Sequence, residues 1–257
     1  MPREQWSRDY DYIEESGQLR EGYMAPWDVL PQRLRDFLTQ TSTELRGAIR
    51  STVGVLRWRL ADAGLHQPFS SRGLFFSTDG ASWHRAPSSG SIHLSTGSNL
   101  RIRGPVALTV QEMLNAGVEE PLGHALWREA WDQRHMNPRS AMLLGVAALE
   151  VGIKQFISAA VPASTWLVEE APSPPIERML KEYLPRLPPQ GKAPPDDVLK
   201  IVRTAVQARN RVVHSGKANF SYETLEASLA TIRDLLWKLD AERGFAWATD
   251  HLETGML

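Results

Sequence analysis

Apolar residues return every three or four positions from Leu30 onward: Leu30, Leu34, Phe37, Leu38, Leu45, Ile49, Val53, Leu56 and Leu60. That spacing keeps them on one face of a helix, so a long helix is predicted over residues 31–63, with Gly64 as its stop. The pattern then changes. Residues 73–103 are dense in Ser, Gly and Thr, with β-prone pieces at 74–76, 83–85, 92–94 and 100–102. Asp79-Gly80 between the first two is a hairpin signal, because glycine accepts a positive φ without a side-chain clash. A small β-meander inserted between helices is the expectation.

Helical periodicity resumes at Thr109. It predicts helices over 109–116, 122–133, 138–160, 176–183, 196–214 and 222–243. Asn137-Pro138 is a strong start signal, a capping side chain followed by proline at the first helical position. Asp196 places an acid in the first turn of its helix, where the macrodipole favours it. Ser221 can cap the last helix, with Thr224 at the third position, and Leu225, Leu229, Ile232, Leu236 and Leu239 give that helix a continuous apolar stripe. The connection 161–195 carries nine prolines, which favour stiff extended turns around at most one short helix. The expected fold class is mainly α: an N-terminal region 1–120 with the long helix and the β-meander, then a helical domain over 121–257.

Composition narrows the function classes. The chain has 257 residues, 42% apolar and 23% charged, with Lys+Arg 29 against Asp+Glu 30. A net charge of -1 gives no global attraction to a polyanion, so any nucleic-acid site has to be a local basic patch. The absence of cysteine excludes disulfides, thiolate catalysis and cysteine-ligated zinc. The run 141–161 is apolar enough to suggest a membrane span, but Glu150, Lys154 and Gln155 lie well inside it, where charge is expensive in lipid. A buried core helix in a cytoplasmic protein is expected, with no membrane contact.

Candidate chemistry concentrates at Arg209-Asn210-Arg211-Val212-Val213-His214. On the helix over 196–214, Arg203, Gln207, Asn210 and His214 are spaced four, three and four apart and line one strip, with Arg209 beside it. A polar strip is usually the solvated face of a helix. This one ends in a histidine one turn from the helix terminus, with Gly216 placed as a left-handed stop. On the preceding long helix, Glu150 and Lys154 stand four apart in the order that favours an ion pair. Charges on so apolar a helix need partners, and Arg209 is the obvious one for Glu150.

Arg209-Asn210-x-x-x-His214, the helix carrying Glu150-x-x-x-Lys154, the shorter helix that follows, and the long closing helix after His-Ser-Gly together resemble the HEPN superfamily over residues 141–243. The resemblance implies an antiparallel helical bundle that forms a homodimer, with two signature helices facing each other across a two-fold axis. It implies a metal-independent endoribonuclease that leaves a 2′,3′-cyclic phosphate. His214 would be the acid/base group and Arg209 would hold the scissile phosphate. Asn210 would orient His214 or touch the phosphate, with Glu150 and Lys154 in support. RNA contacts from Arg203, Gln207, Arg211 and Lys217 would extend the site. No metal or cofactor is implied. A toxin or anti-phage defence setting, with an antitoxin or regulatory protein as a further partner, comes from the same resemblance. The alternative is a non-catalytic helical module that binds a nucleotide, RNA or a protein partner. A third reading, a purely structural dimer, predicts that Arg209 and Asn210 are tied up in core hydrogen bonds. An isolated helix puts Arg209 and His214 about 140° apart, so one phosphate meets both only if a dimer or a relaxed last turn closes the gap.

The remaining histidines, His66, His84, His93, His124, His135 and His251, are scattered, and no pair has metal-site spacing on a helix. Trp127 and Trp131, four apart, are expected to pack at a domain or dimer interface.

Overall fold

The computed structural model describes residues 27–62, 75–77, 80–81, 84–85, 104–170, 175–187, 191–216 and 220–252. The chain forms two compact units: Met1–Thr52 with Gln67–Asn99, and Val53–His66 with Leu100–Leu257. Trp58 donates its indole N–H to the carboxylate of Asp240 at 2.7 Å, which ties the last turns of the helix that ends at Arg59 to the C-terminal helices.

In the first unit, a 3₁₀ turn at Trp27–Val29 leads into helix α1, Gln32–Arg59, whose last turns belong to the second unit. Leu30, Leu34 and Leu38 are buried as the periodicity predicts, but Leu45 and Ile49 are 47% and 48% exposed. The apolar stripe is therefore not a continuous buried face. The burial resumes at Val55 and Trp58, on a different side of the helix from the expected Leu56 and Leu60.

The expected β-meander is corrected. Among the described residues the β-structure is one antiparallel pairing, β1 (Phe75–Phe76) with β2 (His84–Arg85), in which Phe75 faces Arg85 and Phe76 faces His84. Two two-residue strands are a hairpin contact, not a sheet that could bury a face of its own. Its turn keeps the predicted glycine: Gly80 has φ 76, and its N–H donates to Ser77 Oγ at 2.8 Å. The pieces expected at 92–94 and 100–102 lie outside the described residues.

The second unit is helical among its described residues. It contains α2 (Gly104–Asn115), α3 (Leu122–Gln133), α4 (Pro138–Ala160), α5 (Thr165–Glu170) and the short α6 (Ile176–Arg178), which runs on as a π-turn over Met179–Tyr183. It closes with α7 (Asp196–Ser215), α8 (Tyr222–Glu242) and a 3₁₀ stretch at Ala246–His251. The start signals act as predicted. Asn137 accepts from the Ser140 N–H with Pro138 at the first helical position, and Ser221 accepts from the Thr224 N–H.

The helical core joins α3, α4, α7 and α8. Met142, Val146, Leu149, Ile153 and Phe156 of α4 pack with Leu199, Val202 and Ala205 of α7 and with Leu225, Leu229, Ile232 and Leu236 of α8. Helix α4 is long and apolar enough to cross a membrane by length and composition, and half of its most apolar stretch is buried inside the fold. Glycine sets the approach of α4 to α8: Gly145 sits against Leu229 and Gly152 against Leu236, where a Cβ would come within 2.5 and 2.4 Å of the leucine methyls. Both partners advance together, so α4 and α8 run parallel, whereas α3 runs antiparallel to both. The helical part fits the helical bundle expected from sequence.

Trp127 and Trp131 lie within this unit. Their rings stack 5.5 Å apart, and buried Trp127 donates its indole N–H to the Leu229 carbonyl at 2.7 Å. A second apolar cluster gathers Val55, Trp58, Val110, Met113, Trp237 and Ala248.

Candidate functional site

Helix α7 carries the candidate residues and holds its geometry to the end. Gly216 follows it at φ 65, ψ 2, and its N–H donates to the Val212 carbonyl at 3.0 Å. Ser215 Oγ donates back to the Arg211 carbonyl at 2.6 Å. Glycine takes this left-handed position without the Cβ penalty other residues incur, so the helix stops cleanly one residue past Ser215. His214 is therefore fixed on the last regular turn, exposed to solvent.

Arg209 faces the seam between α7 and α4. Its Nη1 donates to Asn210 Oδ1 at 3.0 Å, and its Nη2 stands 3.8 Å from Glu150 Oε2. Lys154 Nζ stands 3.8 Å from the other carboxylate oxygen of Glu150. One carboxylate thus sits between two cations, which leaves the trio with net positive charge. The Arg209 side chain remains 35% exposed and Glu150 25% exposed, so the cluster is reachable from solvent. The partnership of Glu150 with Arg209, read from the charge pattern, is realised.

The other expected residues are placed differently. Arg203 is forked on Glu177 of α6, with Nε donating at 2.9 Å and Nη2 also bonded to that carboxylate. The Arg203 guanidinium beside it holds the Glu177 carboxyl below its ordinary range. Gln207 and Arg211 are exposed on α7, and Lys217 lies outside the described residues. Because α7 stays regular through Ser215, no relaxed last turn brings Arg209 and His214 together. They diverge by about 140° around the helix, and one phosphate meets both only with a second copy of the chain.

Two clusters join residues far apart in sequence and were not assembled by sequence reasoning. In the first, Asp240 Oδ2 accepts from Trp58 Nε1 and lies 2.7 Å from His124 Nε2, all three buried, while Arg243 Nη1 approaches Oδ1 at 3.6 Å. This network pins α1, α3 and α8 to one carboxylate. The second is exposed. The Tyr222 hydroxyl lies 2.9 Å from His135 Nδ1 and donates to Glu226 Oε1 at 2.8 Å, and the two rings stack 5.3 Å apart. Only the i, i+4 spacing of Tyr222 and Glu226 was visible as a pair in the sequence. Among the described residues no group of three His, Asp or Glu side chains is placed to hold a metal ion.

No family model, no curated protein and no solved structure matches this chain.

Proposed function

We propose that this chain is a metal-independent endoribonuclease that works as a homodimer. The observation that carries the reading is the cluster on the α4–α7 seam, Glu150 holding a part-exposed Arg209 beside Asn210, with an exposed His214 at the capped end of the same helix. The guanidinium fork matches two phosphate oxygens and the charge they gain in the transition state. The ribose 2′-oxygen attacks phosphorus and the bond to the 5′-oxygen breaks. His214 takes the 2′ proton or delivers one to the leaving oxygen. The products are a 2′,3′-cyclic phosphate and a 5′-hydroxyl. A toxin or defence effector held in check by a protein partner is the setting this activity fits.

The test is incubation with total RNA in the presence of EDTA, for the parent and for His214→Ala. Cleavage that survives EDTA, ends in cyclic phosphate and disappears in the variant supports the nuclease. A folded dimer that leaves RNA intact overturns it.

One observation favours a second reading. Arg209 is already engaged by Asn210 and Glu150 within the protomer, as a non-catalytic dimerisation or nucleotide-, RNA- or protein-binding module would have it. Binding of RNA without cleavage distinguishes the two.

A further inference from the structure

The α4–α8 contacts and the short turns define one end of the helical unit. Parallel α4 and α8 both begin there, α3 ends there, and α7 ends only seven residues before α8 begins, so the end of α7 lies towards the same end of the unit. Arg209 lies opposite Glu150, so His214 falls near the level of Gly145, roughly 10 Å along the axis from the first turn of α4.

At that end a ladder of flat groups runs from the core to the surface. Buried Trp127 stacks on Trp131, and the Arg134 guanidinium lies 4.0 Å from the centre of the Trp131 ring. Arg134 Nε approaches Glu226 at 3.8 Å, Glu226 accepts from the Tyr222 hydroxyl, and Tyr222 stacks on His135. Both final rings are exposed, and the Tyr222 hydroxyl ties the pair to Glu226. Burial and the Glu226 carboxylate push the Tyr222 phenol above its ordinary range, so the ring stays neutral with its proton committed to Glu226. Arg139, in the first turn of α4, and Arg211, three residues before His214 on α7, are both exposed, and neither forms an ion pair among the described residues. Acids flank the rings as well: Asp132 in the last turn of α3, Glu223, and Glu226, the last already engaged by Tyr222 and Arg134.

We infer that the His135–Tyr222 pair is a base-stacking platform for single-stranded RNA, receiving a nucleotide that flanks the His214 end of α7. The inference rests on the ribonuclease reading for the identity of the strand. Every base has a π-face, so such a platform grips RNA with little sequence preference, and a pre-ordered pair loses little freedom on binding. Along the helix axes the platform end lies roughly 10 Å beyond the level of His214, a step that a short run of unpaired nucleotides covers. Arg139 and Arg211 supply charge for the backbone on the way.

The experiment measures binding of a short fluorescein-labelled single-stranded RNA by anisotropy, using full-length His214→Ala protein so that the RNA stays intact. Tyr222→Leu in that background weakens binding by about five- to a hundredfold, the usual worth of one stacked base. Tyr222→Phe retains binding close to the parent. Both variants lose the hydroxyl bonds to His135 and Glu226, so their difference isolates the ring. Equal affinity for the Leu and Phe variants overturns the platform, as does a parent that binds no RNA. Cleavage with unchanged KM in Tyr222→Leu removes the platform and leaves the nuclease standing. Tyr222-dependent binding by a protein that never cuts RNA does the reverse.

Discussion

Glu150 Oε2 stands 3.8 Å from Arg209 Nη2 across the seam of α4 and α7, and the same carboxylate holds Lys154 at 3.8 Å. These groups are a quarter to a third exposed, so the pair contributes at most about 1 kcal/mol to stability. Its larger effect is on where the guanidinium points. Under the proposed ribonuclease reading, Glu150→Gln is expected to change the urea midpoint little while lowering kcat for RNA cleavage about tenfold, which corresponds to ~1.4 kcal/mol of transition-state stabilisation. An unchanged kcat would show that Arg209 finds its position without Glu150.

The buried carboxylate of Asp240 has the opposite profile. It accepts from Trp58 and contacts His124 where all three side chains are sealed from water. Asp240→Ala leaves Trp58 Nε1 and His124 Nε2 without their shared partner inside the core, and the loss is expected at about 2–5 kcal/mol, the cost of two buried polar groups left unsatisfied. Urea denaturation followed by tryptophan fluorescence reads this directly, since Trp58 and Trp237 flank the site. A loss below about 1 kcal/mol, the scale of an exposed pair, would mean that solvent reaches the carboxylate.

Two helix glycines should respond with opposite signs to the same substitution. Gly152→Ala sets a methyl 2.4 Å from Leu236 Cδ2, so α8 or the leucine must shift, at a cost of about 1–3 kcal/mol. Gly47 of α1 has nothing within 4 Å of its would-be Cβ. Alanine there is expected to stabilise by about 0.5–1 kcal/mol through helix propensity alone. Thermal melts of the two variants give the check, and a stabilised Gly152→Ala would contradict the close approach of α4 and α8.

His251 predicts a pH dependence. Burial holds its imidazole below the ordinary range, against the opposing contact at 3.2 Å with the Arg59 carbonyl. The unfolded chain therefore binds a proton at a higher pH than the folded one. Stability is complete above the ordinary imidazole pKa and falls as pH drops from there towards the depressed folded value. His251→Gln should flatten the melting temperature across that window. An unaltered slope would assign the titration elsewhere.

The helices were legible because each carries its own signals. The spans of α3 and α4 were read to the residue, and the Asn137, Ser221 and Gly216 termini act locally, within a few residues of where they stand. The Glu150–Arg209 pair was legible for a related reason: lone charges on an apolar helix must find a partner, and few were available. The β-meander was misread because Ser, Gly and Thr-rich sequence favours turns without specifying which strands pair. The α1 stripe was misread beyond Leu38, since periodicity names a face without saying how far along it a partner extends.

Local sequence alone determined which segments become helices, where they stop, and that an arginine, an asparagine and a histidine share the final turns of one of them. Tertiary packing decided that α4 and α8 lie parallel, that one aspartate gathers Trp58 and His124, and that Tyr222 meets His135. Helix formation depends on neighbours three or four residues apart. Those other meetings join residues 84 to 182 positions apart, and no short-range pattern encodes which surfaces will close on each other.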